Sequence, residues 1–450
     1  MAQAVDRELP AGTRPGAART TATIERFPAV GERVGAAPAG KGGTFRSLRH
    51  RNYRLLWIGT LFSSSGLWLQ QVTLNYLAFA LTGSSMVVGL ASGARSLPLL
   101  ALGPVGGVMA DRYDKKRLMM STQLAQLLLT FIFAVVIVSG HLEVWHLFVF
   151  SLLSGAAWAL NMPVRQSIVP SLVPREDLMN AMALNSAGFN ITRILGPALA
   201  GLMIAKIGPG ENFFIQSAAY VGVAITVAQL ALPASSRSTG KGGGSAYANL
   251  KEGAAYVWGN ATLRIQMLLA LVPVVIALPY IAILPQFNDE VLGGSPGTFG
   301  LMMAAPGVGA VVATLIVASR RDIVRHGLLL LAALFALGLS LISLAFARNI
   351  LVVLSMLVLV GATQMIYMTT SQTVVQLAIP DEYRGRVMGI YMLNQGMLPL
   401  GALFAGSLAD VYSASTALVV MGALVAALAV LFYARAGSVR RLVGEARTSY

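Results

Sequence analysis

Few side chains in this 450-residue chain could do chemistry, and most of those sit inside apolar runs. There is no cysteine, so disulfides, thiolate metal sites and cysteine nucleophiles are excluded together, and the four histidines are scattered without the spacing of a zinc site. No metal or cofactor is expected. Arg95 and Arg193 stand out because each falls in an apolar run with no acid of its own, where a guanidinium costs at least about 2.5 kcal/mol unless paired or wetted. They could attract an anionic or phenolate-bearing solute, or bond backbone carbonyls and snorkel toward an interface. Ser64, Trp68, Gln71 and Asn75 follow one face of a helix, and Ser154, Trp158, Asn161 and Arg165 repeat that spacing 90 residues later. Gln364, Tyr367 and Ser371 share another face, and Tyr280 lies among Pro273, Pro279 and Pro285, whose missing donors should kink a helix. These polar positions fit the lining of a central cavity, although for any single one packing explains the residue type as well as binding does.

The elements that must position these residues follow from composition. Hydrophobic residues make up 56% and charged residues 11%, too little charge to cover soluble domains. The bilayer must be the solvent, and the fold class is an all-α integral membrane protein. About twelve apolar runs of membrane-crossing length are expected, near 55–80, 86–110, 118–138, 145–169, 181–205, 212–232, 262–285, 298–319, 327–346, 350–377, 387–409 and 414–434. The organisation is a basic cytoplasmic tail (1–53), a six-helix half (54–232), a Gly- and Ser-rich linker (233–261), a second six-helix half (262–434) and a basic cytoplasmic tail (435–450). An even span count with both ends inside predicts that every second loop is basic, and 29 of the 33 Lys and Arg fall on that side. The formal charge of +15 therefore points to topology and to anionic lipid on the cytoplasmic face of the plasma membrane, and not to nucleic acid.

The two halves echo each other. Val173, Pro174, Arg175, Glu176 and Asp177 are matched by Ile379, Pro380, Asp381, Glu382 and Tyr383, and a Gly-rich helix follows both, so two pseudo-symmetric halves are expected. Nested repeats with a midplane site between them characterise secondary transporters.

Gly107, Val108, Met109, Ala110, Asp111, Arg112, Tyr113, Asp114, Lys115, Lys116 and Arg117 resemble the Gly-x-x-x-Asp-Arg-x-Gly-Arg-Arg motif of the major facilitator superfamily, with Asp114 in place of the usual glycine. Asp111 would end a helix at the cytoplasmic face and meet the positive N-terminus of the eleventh span near Arg384 and Arg386, latching the halves there. Gly188, Gly196, Pro197 and Gly201 partly resemble the glycine-rich motif of the superfamily's drug antiporters, and ordinary small-residue helix packing explains them equally well. Pro170 to Leu178, Asn185, Asn190, Arg193 and Asp381 to Met388 look like the branch that holds the bacterial enterobactin exporter and the macrolide efflux proteins. The resemblance implies the major facilitator fold, with spans one, four, seven and ten around the cavity.

Two departures bear on mechanism. The fourth span opens Trp145, His146, Leu147, Phe148 without the arginine usual in drug antiporters, and no span carries a carboxylate near its middle. Proton coupling is thus implied by the resemblance alone. The expectation is a monomeric, non-enzymatic secondary transporter that exports an amphipathic small molecule of the siderophore or drug type by alternating access. Import or facilitated diffusion shares the same composition, and a receptor or scaffold would not need the polar stripes. Two enzyme-like patterns are decoys. Gly35 to Lys41 lacks the Ser or Thr of a phosphate loop, and Gly293 to Gly297 falls in a short loop between spans.

Overall fold

The computed structural model describes residues 43–99, 101–102, 113–231, 246–319 and 325–435. Gly107, Asp111 and Arg112 of the motif, most of the two basic tails and the first part of the linker lie outside the described residues. Every regular element among the described residues is helical. The first half contains α1 (Arg51–Thr82), α2 (Ser85–Ala94), α3 (Lys115–Val138), α4 (Val144–Leu172), α5 (Arg175–Ile207) and α6 (Pro209–Ala228). A connecting helix α7 (Ala246–Gly259) leads into α8 (Ala261–Val272) and α9 (Tyr280–Leu292). The second half continues with α10 (Pro296–Ser319), α11 (His326–Phe346), α12 (Ile350–Leu377), α13 (Asp381–Leu393), α14 (Leu398–Val411) and α15 (Ala414–Arg435).

Nine helices among the described residues are long and apolar enough to cross a bilayer, with α8–α9 and α13–α14 each counted as one. The other three expected runs correspond to α1, α2 and α6. In α1, the buried Gln70, Thr73 and Asn75 dilute the apolar character. Asn212, Gln216 and Ser217 do the same in α6. All three are nonetheless packed into the membrane body: α1 lies against α5 and α6, α2 against α1 and α14, and α6 against α1 and α3. The described residues form an all-α membrane protein of two helical halves.

The proline prediction for the seventh span holds in detail. A π-helical turn, Pro273–Ala277, separates α8 from α9, with the Leu278 N–H reaching the Pro273 carbonyl. Pro279 precedes α9 and Pro285 sits within it. Each proline removes a backbone donor, and the ladder re-registers at the Pro273 turn, whereas α9 continues through Pro285.

The repeat is visible as matched contacts. Before α1, the turn Arg46–Arg49 grips the start of α5: Ser47 N–H donates to Asn180 Oδ1 at 2.9 Å, and His50 Nε2 is 2.7 Å from Asp177 Oδ2. Shifted by 206 residues, Gly253 packs on Arg386, and the Tyr256 ring stacks on Tyr383 with centroids 4.3 Å apart. Each half therefore clips its entering segment to its fifth span, with charge in the first half and aromatic rings in the second. In the first clip Arg46 and Arg49 join His50 around an Asp177 that is 1% exposed.

Candidate functional site

The polar residues of the apolar runs divide into an interior network and a seam. The network runs through the first half. Gln70 of α1 donates to Ser154 Oγ of α4 at 2.9 Å, Gln216 of α6 donates to the Gly66 carbonyl and to Gln70 Oε1, and Gln126 of α3 donates to the Ser154 carbonyl. Asn161 donates to Thr122 Oγ1 at 2.7 Å, and Asn212 to Thr73 Oγ1 at 2.6 Å. Buried amides that pair across helices in this way glue the bundle. Arg95, just past α2, places its guanidinium carbon 5.7 Å from the Trp158 ring centroid, a cation–π contact, and lies within electrostatic reach of Tyr220. Among the described residues no carboxylate pairs with Arg95, Arg165 or Arg193. Buried polar atoms without protein partners, including Arg165 Nη2 and the amide oxygens of Gln123, Gln126 and Gln216, gather in the same half.

The predicted stripe splits accordingly. Gln71 donates to Asn75 Oδ1 and Ser92 Oγ, both at 3.2 Å, and joins α1 to α2. Trp68 turns the other way: its ring stands 6.0 Å from Phe189 of α5, its side chain abuts Gly196, and its buried indole N–H has no partner among the described residues. Trp158 supports Arg95, while Asn161 is 7% exposed and held by Thr122.

In the second half, Tyr367 is 1% exposed and donates to the Leu269 carbonyl at 2.6 Å, which ties α12 to α8. Gln364 is also buried, with only a sulfur contact to Met368 at 3.9 Å. Tyr280 is buried at the start of α9 and lies within electrostatic reach of Arg193, which belongs to the other half. Of the predicted cavity residues, Arg193 and Tyr280 thus approach the junction between halves. Trp68, Gln71, Asn75, Arg95, Trp158, Asn161, Gln364 and Tyr367 make their described contacts within one half.

The junction has a definite end. α2 packs on α14 and α5 on α10, and the close approaches lie toward the end opposite the basic loops. Gly201 of α5 sits directly on Gly300 and the Pro296 carbonyl of α10, so the glycine motif acts here as a packing surface; Gly188 and Gly196 receive Leu61, Trp57 and Trp68 of α1. Pro197 is buried and presents its carbonyl to Gly300. At the basic end, by contrast, Met179 and Met182 on α5 are 87% and 53% exposed, and Leu377 on α12 is 56% exposed. Lys116 donates to the Ala228 carbonyl at the end of α6, Arg386 pairs with Glu252 of α7 at 2.9 Å, and Arg384 is exposed on the same helix α13. Burial, with the Tyr383 hydroxyl beside it, raises the Tyr256 hydroxyl above its ordinary value.

Two half-bundles joined at one end, with polar residues and an uncompensated arginine between them, form the architecture of a solute carrier. The model of the transmembrane secretion effector family matches residues 42–442. The chain belongs to that family, a branch of the major facilitator superfamily. It is 28% identical over 379 residues to the staphyloferrin A transporter of Staphylococcus aureus, covering 83% of this chain and 94% of the relative. It is 22% identical over 390 residues to macrolide efflux protein A of Streptococcus pyogenes, covering 85% and 96%. The fold matches the crystal structure of the nucleoside transporter NupG with a TM-score of 0.69 at 14% identity, covering 85% of this chain and 98% of the other. The family member described here is therefore a multi-pass membrane transporter of small molecules and not an enzyme.

The sequence signalled the stripes and the arginines, but not the glutamine network or the clips. Gln123, Gln126 and Gln216 are spaced as any packed helix would space them. A polar side chain aimed into a bundle and one aimed into a cavity share the same period.

Proposed function

We propose that this transporter exports an amphipathic, anionic small molecule of the siderophore or drug type across the plasma membrane by alternating access of its two halves. The observation that carries this reading is Arg193, a guanidinium without a carboxylate partner among the described residues, set on α5 where its backbone packs on Gly307 of α10 across the junction. A cation held there in a low dielectric favours a ligand that brings the negative charge. Trp68 and Phe189 supply apolar surface beside it, and the unpartnered Trp68 N–H supplies a donor. A relative named for macrolide efflux supports export, and one named a staphyloferrin A transporter supports a siderophore-type solute.

The basic end is taken as cytoplasmic, with both termini there, because a cytoplasmic excess of Lys and Arg sets orientation. On that reading the structure is closed outside and open inside. Asp111 would close the cytoplasmic side against the N-terminus of α13 in the opposite state, with Gly107, Arg112 and Lys116 shaping its loop and Arg384 and Arg386 nearby. Since Glu252 occupies Arg386 here, closure would have to share or exchange that partner. No cofactor is needed, and a monomer holds the whole site.

The test is a solute screen in inverted membrane vesicles, with and without an imposed proton gradient. Accumulation of carboxylate- or phenolate-rich solutes, strongly reduced by Arg193→Leu, is the expected result. Uptake only in right-side-out vesicles would reverse the direction, and equal uptake without a gradient would remove proton coupling.

A further inference from the structure

We infer that Asp410 is the external latch of this transporter, a carboxylate on one half that holds the first turn of α2 on the other and so keeps the outside closed. The inference rests on the alternating-access reading above. Asp410, near the end of α14, accepts from the Ser84 hydroxyl at 2.5 Å, from the Ser85 N–H at 2.7 Å and from the Met86 N–H at 3.3 Å. The two N–H groups are among the donors that a helix leaves unsatisfied at its start, and the helix dipole adds attraction for an anion there. Here the anion arrives from more than 300 residues away, across the line along which the halves must part.

A second layer beneath it also crosses that line. The Ser85 hydroxyl, fully buried, donates to Gln286 Oε1 of α9 at 2.6 Å. The other end of that amide is fixed: it donates to Glu290 Oε1 at 2.6 Å and to the Ala409 carbonyl at 3.0 Å. Glu290 in turn accepts from the Ala414 N–H at the start of α15 at 3.0 Å. Within the second half, α9, α14 and α15 are thus braced to present two acceptors, Asp410 and Gln286, to one helix of the first half. Bonds within that brace survive any rigid motion of the half, whereas the four bonds to Ser84, Ser85 and Met86 must break for α2 and α14 to separate. The neighbouring part of the junction, where Gly201 meets Gly300, makes its approach through backbone and glycine alone. Asp410 therefore sits where it can set the closing energy of the external side. It would be the counterpart, on the opposite face, of the motif carboxylate on the cytoplasmic side.

The naturally cysteine-free chain allows the test. Spin labels on cysteines at the exposed His141 and Leu351 report the separation of the halves outside, and labels at Met179 and Leu377 report it inside. In double electron–electron resonance, Asp410→Ala should raise the ratio of long to short outer distances roughly tenfold, about 1.4 kcal/mol. Asp410→Asn, which keeps an acceptor but loses the charge, should fall between it and wild type. Gln286→Leu should move the ratio in the same direction. Outer distributions of the Asp410 variants that superimpose on wild type would overturn the latch, and the Asn variant alone suffices for that comparison if the Ala variant does not fold. If the outer pair lengthens while the inner pair stays fixed, the latch stands and coupled alternating access is what fails.

Discussion

Arg193 and Tyr367 show how residues that look alike in sequence take different parts. Both lie in apolar runs, but the Tyr367 hydroxyl is spent on the Leu269 carbonyl, whereas no carboxylate among the described residues meets Arg193. Tyr367→Phe should cost about 1 kcal/mol of stability, the net value of one buried hydrogen bond. It should lower the melting temperature in detergent and leave the KM for transport unchanged; a raised KM with unchanged stability would move Tyr367 into the binding site. Arg193→Leu should act oppositely, cutting uptake of anionic solutes about tenfold while sparing cationic ones. Equal losses for both would make it a structural arginine. Arg95 differs again, since its Trp158 face is already a partner, so Arg95→Lys should cost more than charge conservation suggests.

At the scale of elements, the clips decide how each half holds its first span. Asp177 is surrounded by Arg46, Arg49 and His50, while Glu252 and Arg386 form one exposed pair. Glu252→Gln should therefore change stability by at most about 1 kcal/mol. Asp177→Ala strands Arg46, Arg49 and His50 and should lower the melting temperature clearly more. Equal effects in thermal unfolding would mean that the clips contribute only through backbone and aromatic packing. The sequence showed the repeat that carries both clips, because Val173 to Asp177 and Ile379 to Tyr383 are similar strings. It did not show their partners. Those come from segments before α1 and α8 that are chemically unlike each other, and Asp177 corresponds to Tyr383, so the repeat conserves a contact position but not a contact chemistry. The same limit hid the external latch: two of the three groups that Asp410 accepts from are backbone N–H groups, which no residue pattern advertises.

For the whole molecule, the all-α membrane class followed from apolar run length and loop charge, quantities set by the bilayer itself, and the likeness to a transporter superfamily followed from the motif residues. The state of the carrier did not, because the same sequence must close at either end. Glycine contacts let these two properties be separated. A Cβ added at Gly201 would lie 2.6 Å from Gly300 Cα and from the Pro296 carbonyl oxygen, across the junction of the halves. One added at Gly309 would overlap the Val358 carbonyl oxygen, inside the second half. Both substitutions overpack, which typically costs about 1–3 kcal/mol. The half that contains Gly309 cannot relieve its clash by a rigid motion, so Gly309→Ala should lower stability and leave the distances between halves unchanged. Gly201→Ala has a second route: the halves can part at that end, which relieves the clash and shifts the population of states. The outer pair of labels at His141 and Leu351 should lengthen in Gly201→Ala with a smaller loss of melting temperature than in Gly309→Ala. If the two variants lost stability alike and neither changed that distance, the glycine contact would be a permanent weld, and the moving surface of the transporter would have to be sought elsewhere.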